Sequence, residues 1–153
     1  MGEGIVARPT KFRKVDFFPK SAYFVPLGKE KCKLEEVVLK VEELQAMRLK
    51  DIEGLNQEEC AEKMQISRQT FQNIIDSARK KVAIALSNGN AIRINGGDYT
   101  TDFCKYKCSG CGNTYDMKYE QDRSNCPSCG DKRVVCSKKA DFCETWCRYN
   151  NEI

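Results

Sequence analysis

The sequence predicts two units of different fold class: a mainly α-helical domain at residues 1–97 and a small, metal-stabilised, cysteine-rich module at residues 98–153. Two observations separate them. Apolar residues recur at helical spacing through the first unit, whereas eight of the ten cysteines fall within residues 104–147 of the second. The second unit also has few large apolar side chains, so bound metal would have to supply its folding free energy.

The chain begins with an arm in which proline excludes a long helix. Pro9, Pro19 and Pro26 interrupt residues 1–28, and aromatic residues alternate there with basic ones. We therefore expect an extended arm with one short strand near residues 11–17. The aromatic residues are expected to pack back on the helical core.

Basic charge is concentrated on this arm and on a later helix. Residues 8–33 hold eight Lys and Arg against two acidic residues, residues 67–95 hold five against one, and residues 34–66 hold four against nine. This polarity favours double-stranded DNA as a partner, because phosphate contacts supply most sequence-independent affinity. The arm residues predicted to contact phosphate or enter the minor groove are Arg8, Lys11, Arg13 and Lys14. The alternative is a solvated basic edge.

The first clear helix is predicted from about Val41 to Gly54. Val41, Leu44, Met47 and Ile52 would form its core-facing side, and Gly54 is a typical residue at a helix C-terminus. The glutamates between them are typical of a solvated face. This helix is expected to support the helices that follow.

Residues 55–86 predict a helix, a tight turn and a longer second helix. From Phe71 onward, apolar residues fall at i, i+3, i+4, i+7, i+11 and i+14, which is the period of a helix face. Ser67 is a favoured N-cap for this helix. Gln65 lies where such a turn usually has Gly in the left-handed region, at a cost of roughly 1 kcal/mol for another residue. The pattern predicts a helix-turn-helix.

The outward face of the second helix carries side chains that can recognise bases. Arg can form two hydrogen bonds with guanine, and Gln and Asn can each form two with adenine. A helix-turn-helix places the N-terminal part of its second helix in the major groove. The residues predicted to read bases there are Arg68, Gln69, Gln72 and Asn73. The alternative is an ordinary helical hairpin with a solvated polar face.

A short strand is predicted after the long helix, over residues 91–94. It follows the helix-stopping segment at residues 87–90 and ends at Gly96 and Gly97. Pairing of this strand with the N-terminal arm would join the two ends of the domain.

Two CxxC pairs, each followed by Gly and separated by fourteen residues, predict one tetrathiolate metal site. The predicted ligands are Cys108, Cys111, Cys126 and Cys129. Because the chain has no His, the ligand set would be all cysteine. The segment between the pairs can form a hairpin, so the module is similar to a zinc ribbon with structural zinc. Iron is the alternative, since these segments also resemble rubredoxin-like knuckles and tetrahedral S4 geometry suits both metals.

Four further cysteines are candidates for a second metal site. Two of them are spaced i, i+4, which would place both thiols on one side of a helix. The predicted set is Cys104, Cys136, Cys143 and Cys147. The alternative is that these are small buried hydrophobic residues, because free cysteine is commonly buried.

Segments throughout residues 8–99 carry a family resemblance. They are Arg8-Pro9, Tyr23–Gly28, Leu34–Leu39, Glu43–Leu49, Ser67–Phe71, Ser77–Val82 and Ile94–Gly97. This region resembles a prokaryotic family of uncharacterised proteins inferred to bind DNA, whose helix-turn-helix is similar to region four of sigma factors. The resemblance implies a winged-helix-like DNA-binding fold in which Arg68, Gln69 and Gln72 read bases. It does not extend to the cysteine module.

Two kinds of pattern that the sequence does not contain limit the functions that we expect. No stretch has the length of an apolar membrane span or the apolar core of a signal peptide, so we expect a cytoplasmic protein without a membrane partner. No catalytic constellation is recognisable, so an enzyme is not expected.

The expected function is regulation of transcription through DNA binding. One helix-turn-helix contacts only a few base pairs, so a homodimer is expected. One alternative is a metal- or redox-responsive regulator with an iron tetrathiolate. The other is a protein that docks on RNA polymerase without reading bases.

Overall fold

The computed structural model describes residues 11–101 and 105–136. In these ranges the chain forms three α-helices and three small sheets. The helices are α1 (Val41–Met47), α2 (Gln57–Lys63) and α3 (Arg68–Asn88), with a π-helical turn at Arg48–Ile52 directly after α1. The expectation of a mainly α domain is therefore wrong, because short strands accompany the helices on both sides in sequence.

The strands are short and pair over long sequence distances. They are β1 (Arg13–Lys14), β2 (Tyr23–Phe24), β3 (Glu36–Leu39), β4 (Ala91–Ile94), β5 (Tyr99–Thr100), β6 (Tyr106–Cys108), β7 (Thr114–Tyr115) and β8 (Val134–Cys136). β1 pairs with β5 in parallel. The second sheet has the order β2-β4-β3, and the third is the antiparallel sheet β7-β6-β8.

Helices α2 and α3 lie where the sequence predicted them, and local hydrogen bonds explain their ends. The side chain of Asn56 accepts a hydrogen bond from the N–H of Glu59 at 2.9 Å, and the Glu59 side chain accepts one from the N–H of Asn56 at 2.9 Å. Ser67 caps α3 by accepting the N–H of Thr70 at 3.1 Å. Between the helices, Gln65 adopts the left-handed conformation with φ of 55°, as its position in the turn predicted.

The helices share one apolar core, and a second core joins them to strands. The first core contains residues of the three helices and of the turns that follow α1 and α2, among them Ala46, Leu49, Cys60, Met64, Phe71 and Ile75. The second contains Val15, Leu39, Val41, Ala78, Ile94 and Tyr99. Met47 is packed against both clusters. The inward stripe of α3 is therefore covered along most of its length.

The N-terminal arm runs between the helical unit and the cysteine ribbon, which we define as residues 105–136. Phe12 donates its N–H to the carbonyl of Lys118 at 2.7 Å, and its ring lies in the apolar cluster of the ribbon. Val15, three residues later, lies in the second helical core and donates its N–H to Thr100 at 2.9 Å. The arm thus contributes a buried side chain to each unit.

The winged-helix-like expectation is only partly supported. The predicted strand after α3 is present as β4, and it pairs with the arm strand β2 as proposed. It also pairs in parallel with β3, which the sequence analysis did not predict. β4 and β5 lie in different sheets, so these two strands do not form a wing hairpin after α3. Within the described ranges, no helix is both long and apolar enough to cross a lipid bilayer.

Candidate metal centre and nucleic-acid interface

The four predicted ligand cysteines come together in the ribbon. The Sγ atoms of Cys108, Cys111, Cys126 and Cys129 all lie within 4.8 Å of one another. Cys108 and Cys129 Sγ are 3.6 Å apart, and Cys111 and Cys126 Sγ are 3.7 Å apart. Thiolates placed tetrahedrally about 2.3 Å from one zinc ion would be about 3.8 Å apart. The sulfur positions therefore fit a single tetrahedral ion, and iron would fit them equally well.

Glycine shapes both cysteine loops. Gly112 and Gly130 have φ of 74° and 75°, a conformation that side-chain-bearing residues rarely adopt. This turn lets the N–H of Gly112 reach the carbonyl of Cys108 at 3.0 Å and the N–H of Gly130 reach that of Cys126 at 2.8 Å. Each loop thereby directs two thiols to the same point.

The sheet and one side-chain contact hold the two loops together. Cys108 ends β6, which lies between β7 and β8. Asn113 in the first loop region donates to the Oγ of Ser128 in the second at 2.7 Å. Cys108 and Cys126 are buried, whereas Cys111 and Cys129 are exposed, so the ion would lie at the edge of the ribbon. Gly110 donates its N–H to the Sγ of Cys108 at 3.3 Å, which stabilises a thiolate there.

The pKa values of Cys126 and Cys129 are shifted in opposite directions. Burial raises the pKa of Cys126, but hydrogen bonds from the backbone N–H groups of Cys129 and Ser128 outweigh it and bring the pKa to about 7. For Cys129, the backbone N–H of Asp131 lowers the pKa, but burial and hydrogen bonds with the other three cysteines raise it to about 12. A divalent cation at the centre would supply the charge that allows all four sulfurs to bind as thiolates.

Of the predicted second metal site, only Cys136 is described. It lies on β8, half-buried against the apolar cluster of the ribbon. Cys104, Cys143 and Cys147 lie outside the described residues, so this site stays a prediction.

The predicted base-reading residues lie on the first two turns of α3. Arg68, Gln69 and Asn73 are exposed, whereas Gln72 is half-buried. Gln69 donates to the side-chain oxygen of Asn73 at 3.1 Å, so these two side chains lie together on one face. Arg68 donates through Nε to the side-chain oxygen of Gln57 at 3.1 Å. The face is polar, and its side chains are held by hydrogen bonds with each other and with α2.

Gln57, the first residue of α2, is part of this surface and was missed in the sequence. Its amide nitrogen donates to the side-chain oxygen of Gln72, whose own amide donates to Asp76 at 2.8 Å. Gln57 therefore contacts both Arg68 and Gln72. The sequence could have indicated Gln57 by its position at the start of the helix before the turn, because a side chain there can reach the next helix.

The described arm residues that were predicted to contact DNA are not all exposed. Lys11 is exposed, whereas Arg13 and Lys14 are half-buried. Arg13 donates through Nη1 to the carbonyl of Lys11 at 3.1 Å, and Lys14 donates its N–H to Met64 at 2.9 Å. Arg8 lies outside the described residues.

The fold and the cysteine cluster define a class of small protein, in which a helical unit with two helices joined by a tight turn is linked to a tetracysteine ribbon. The chain belongs to the family described as "Protein of unknown function DUF134", whose sequence profile matches residues 4–102.

Curated relatives extend the likeness into the ribbon. A "UPF0251 protein" of Clostridium tetani is 67% identical over 147 residues, which cover 96% of this chain and all of the relative. One from Clostridium beijerinckii is 68% identical over 146 residues, covering 95% of this chain and 99% of the relative. One from Clostridium botulinum (strain Loch Maree) is 70% identical over 144 residues, covering 94% of this chain and 92% of the relative. No solved structure matches the chain.

Proposed function

We propose that the protein binds double-stranded DNA in the major groove through the N-terminal part of α3, as a transcriptional regulator. The observation that carries this proposal is the exposed cluster of Arg68, Gln69 and Asn73 on the first two turns of α3. These side chains have the donor and acceptor patterns that recognise guanine and adenine. The preceding helix and left-handed turn give this face the support that a helix-turn-helix needs.

Contacts with α2 would orient these side chains before DNA binds. Gln57 accepts from Arg68 and donates to Gln72, so it limits the rotamers of both. The exposed ion pair of Arg68 with Glu58, at 3.7 Å, costs little to break when a base replaces it. Such preorganisation reduces the side-chain entropy lost on binding.

Phosphate contacts would come from exposed basic residues of the arm and of α3. Lys11 on the arm and Lys80 on α3 are exposed and can each displace counterions from the DNA backbone. We include Arg8, Arg13 and Lys14 of the arm in the same proposal. Because one recognition helix spans few base pairs, the proposed binding form is a homodimer on two half-sites.

We further propose that the tetracysteine cluster is a structural zinc centre. The sulfur separations suit zinc, and the ribbon has only one small apolar cluster. Metal analysis of purified protein tests this assignment directly. One colourless zinc ion per chain is expected, whereas a coloured protein containing iron would favour the redox-responsive alternative.

Binding of labelled DNA from the protein's own genome, measured by fluorescence anisotropy, tests the DNA proposal. Arg68→Ala combined with Gln69→Ala removes two exposed base contacts, so it should weaken binding to the preferred sequence by about 2–5 kcal/mol and reduce sequence preference. The matched control is Lys80→Ala on the same helix. It should weaken binding to all sequences alike and reduce the salt dependence.

Unchanged affinity and sequence preference in the double variant would contradict base reading. The face would then be a scaffold, and docking on RNA polymerase without base readout would become the favoured function.

A further inference from the structure

One face of α1 and the π-helical turn is only partly covered by the rest of the described structure. Leu44, Met47 and Ile52 lie on this face at spacings of three and eight residues, as on an amphipathic helix. The face borders an open groove with a volume of about 510 Å³. Its apolar walls are formed by Phe17, Phe24, Leu44, Met47, Ile52 and Ile94.

Ile52 shows how this groove differs from ordinary core packing. The sequence placed Ile52 on the core-facing side of the first helix, but 80% of it is exposed. The π-helical turn is closed by the N–H of Glu53 donating to the carbonyl of Arg48 at 3.0 Å. Turns of this kind are rare and are found frequently at functional sites.

Ion pairs within the described structure involve two of the three charged residues that line the groove. Arg48 forms ion pairs with Asp16 and Glu53. Asp51 forms an ion pair with Arg79. Both of these charged lining residues therefore have partners of opposite charge. Lys20 also lines the groove and is exposed, and it forms an ion pair with no acidic residue of the described ranges. Within the described ranges, the groove therefore combines apolar walls with one charged lining residue, Lys20, that has no ion-pair partner.

We propose that this groove binds a hydrophobic monocarboxylate, with its apolar chain against Met47 and Ile52 and its carboxylate at Lys20. The volume lies within the roughly 300–1,000 Å³ of small-molecule sites, which are mostly apolar with a few polar groups that fix orientation. A neutral ligand would leave Lys20 unused, and a cationic one would be repelled by it. Binding requires neither DNA nor the metal centre, so this proposal is independent of the proposed function.

The test is isothermal titration calorimetry of the full metal-replete chain with decanoate. Saturable binding of one decanoate per chain is expected. Decylamine, which has the same chain length and the opposite charge, should bind at least about tenfold more weakly. Methyl NMR should place the bound chain by shifts at Leu44 and Met47.

Two variants with matched controls locate the site. Lys20→Glu reverses the charge at the groove and should weaken decanoate binding by about tenfold or more, whereas Lys31→Glu, at an exposed lysine outside the groove, should not. Ile52→Ser removes exposed apolar wall and should weaken binding by about threefold to tenfold. Leu27→Ser, at a fully exposed apolar residue outside the groove, is its control.

Several results would overturn the proposal. Absence of saturable binding would do so, as would decylamine binding as tightly as decanoate. Binding that both groove variants leave unchanged would mean that decanoate lies elsewhere. A chain dimer that Ile52→Ser dissociates, without decanoate binding, would show that a second copy covers this face.

Discussion

The helical unit and the cysteine ribbon differ in the make-up of their buried clusters. In the helical unit, two apolar clusters cover the inner faces of α1, α2 and α3, and Phe71 and Ile75 are fully enclosed. The ribbon has one cluster, and two of its buried members, Cys108 and Cys126, are also candidate ligands. We therefore expect the helical unit to fold by burying apolar surface and the ribbon to depend on metal ligation.

The arm residue Phe12 complicates this division. It is contributed by the segment that precedes the helical unit, yet only 2% of it is exposed and it packs in the ribbon cluster. The ribbon therefore uses apolar surface from outside its own sequence.

The largest effect is expected from loss of a metal ligand. Cys108→Ser should abolish the folded ribbon while α1, α2 and α3 persist, because structural zinc contributes about 10–16 kcal/mol of binding free energy to small modules. Two-dimensional NMR should show collapse of ribbon resonances, and circular dichroism should show retained helix. Cys32→Ser, at an exposed cysteine outside the cluster, is the control. Loss of both units together would contradict separate stabilisation.

The next effect concerns the arm. Phe12→Ala removes a buried ring from the ribbon cluster and should destabilise the ribbon by about 3–5 kcal/mol. The readout is the chelator concentration needed to unfold the ribbon. Phe24→Ala, at a phenylalanine that is 54% exposed, should change this concentration little. An equal effect of the two substitutions would show that the arm does not support the ribbon.

A smaller effect is expected in the turn before α3. Gln65 has φ of 55°, so Gln65→Gly should relieve strain and stabilise the helical unit by about 1 kcal/mol. Urea unfolding followed by the helical signal measures the change. Glu62→Gly in α2 is the control, and it should destabilise by about 1 kcal/mol because Gly is unfavourable inside a helix. Destabilisation by Gln65→Gly would mean that its side chain makes contacts that matter more than strain.

The last effect is a dependence on pH in the helical unit. Burial raises the pKa of Glu42, whose Oε1 accepts the N–H of Asp98 at 3.2 Å and whose Oε2 has no hydrogen-bond partner within the described ranges. Between the ordinary glutamate pKa and the raised one, the native state binds more protons than the unfolded state. Stability should therefore fall as pH rises through this window.

Glu42→Gln should remove that fall, so the variant gains most over the natural chain at neutral pH and least in acid. Thermal unfolding across a pH series measures it. The control is Glu62→Gln, at an exposed residue of α2. A difference that grows toward acid would reverse the assigned direction of the pKa shift.

Local signals explain which parts of the fold and site were predictable. The stripe beginning at Phe71 and the cap at Ser67 determine α3 through contacts within a few residues. The conformation of each CxxCG loop is likewise determined by its own residues, so the four cysteines could be assigned to one site from their spacing alone. The family was also recognisable, since its profile matches residues 4–102.

Long-range pairing explains what the sequence did not reveal. β3 and β4 are parallel neighbours in the sheet, but α1, α2 and α3 separate them in sequence. β1 and β5 have only two residues each, which is too few to show a pattern of alternating apolar residues. The burial of Phe12 in the ribbon and the contact of Gln57 with Arg68 also depend on tertiary packing. The strands β3 and β5 are present but were not predicted, and their omission accounts for the mistaken expectation of a mainly α domain.

The most direct measurement of the proposed function is a selection of genomic DNA fragments by the purified, metal-replete protein at two salt concentrations. The proposal predicts enrichment of a defined sequence motif that persists at the higher salt, because base contacts depend less on salt than phosphate contacts do. Uniform binding to all fragments that disappears at the higher salt would contradict base reading by α3 and leave only phosphate attraction.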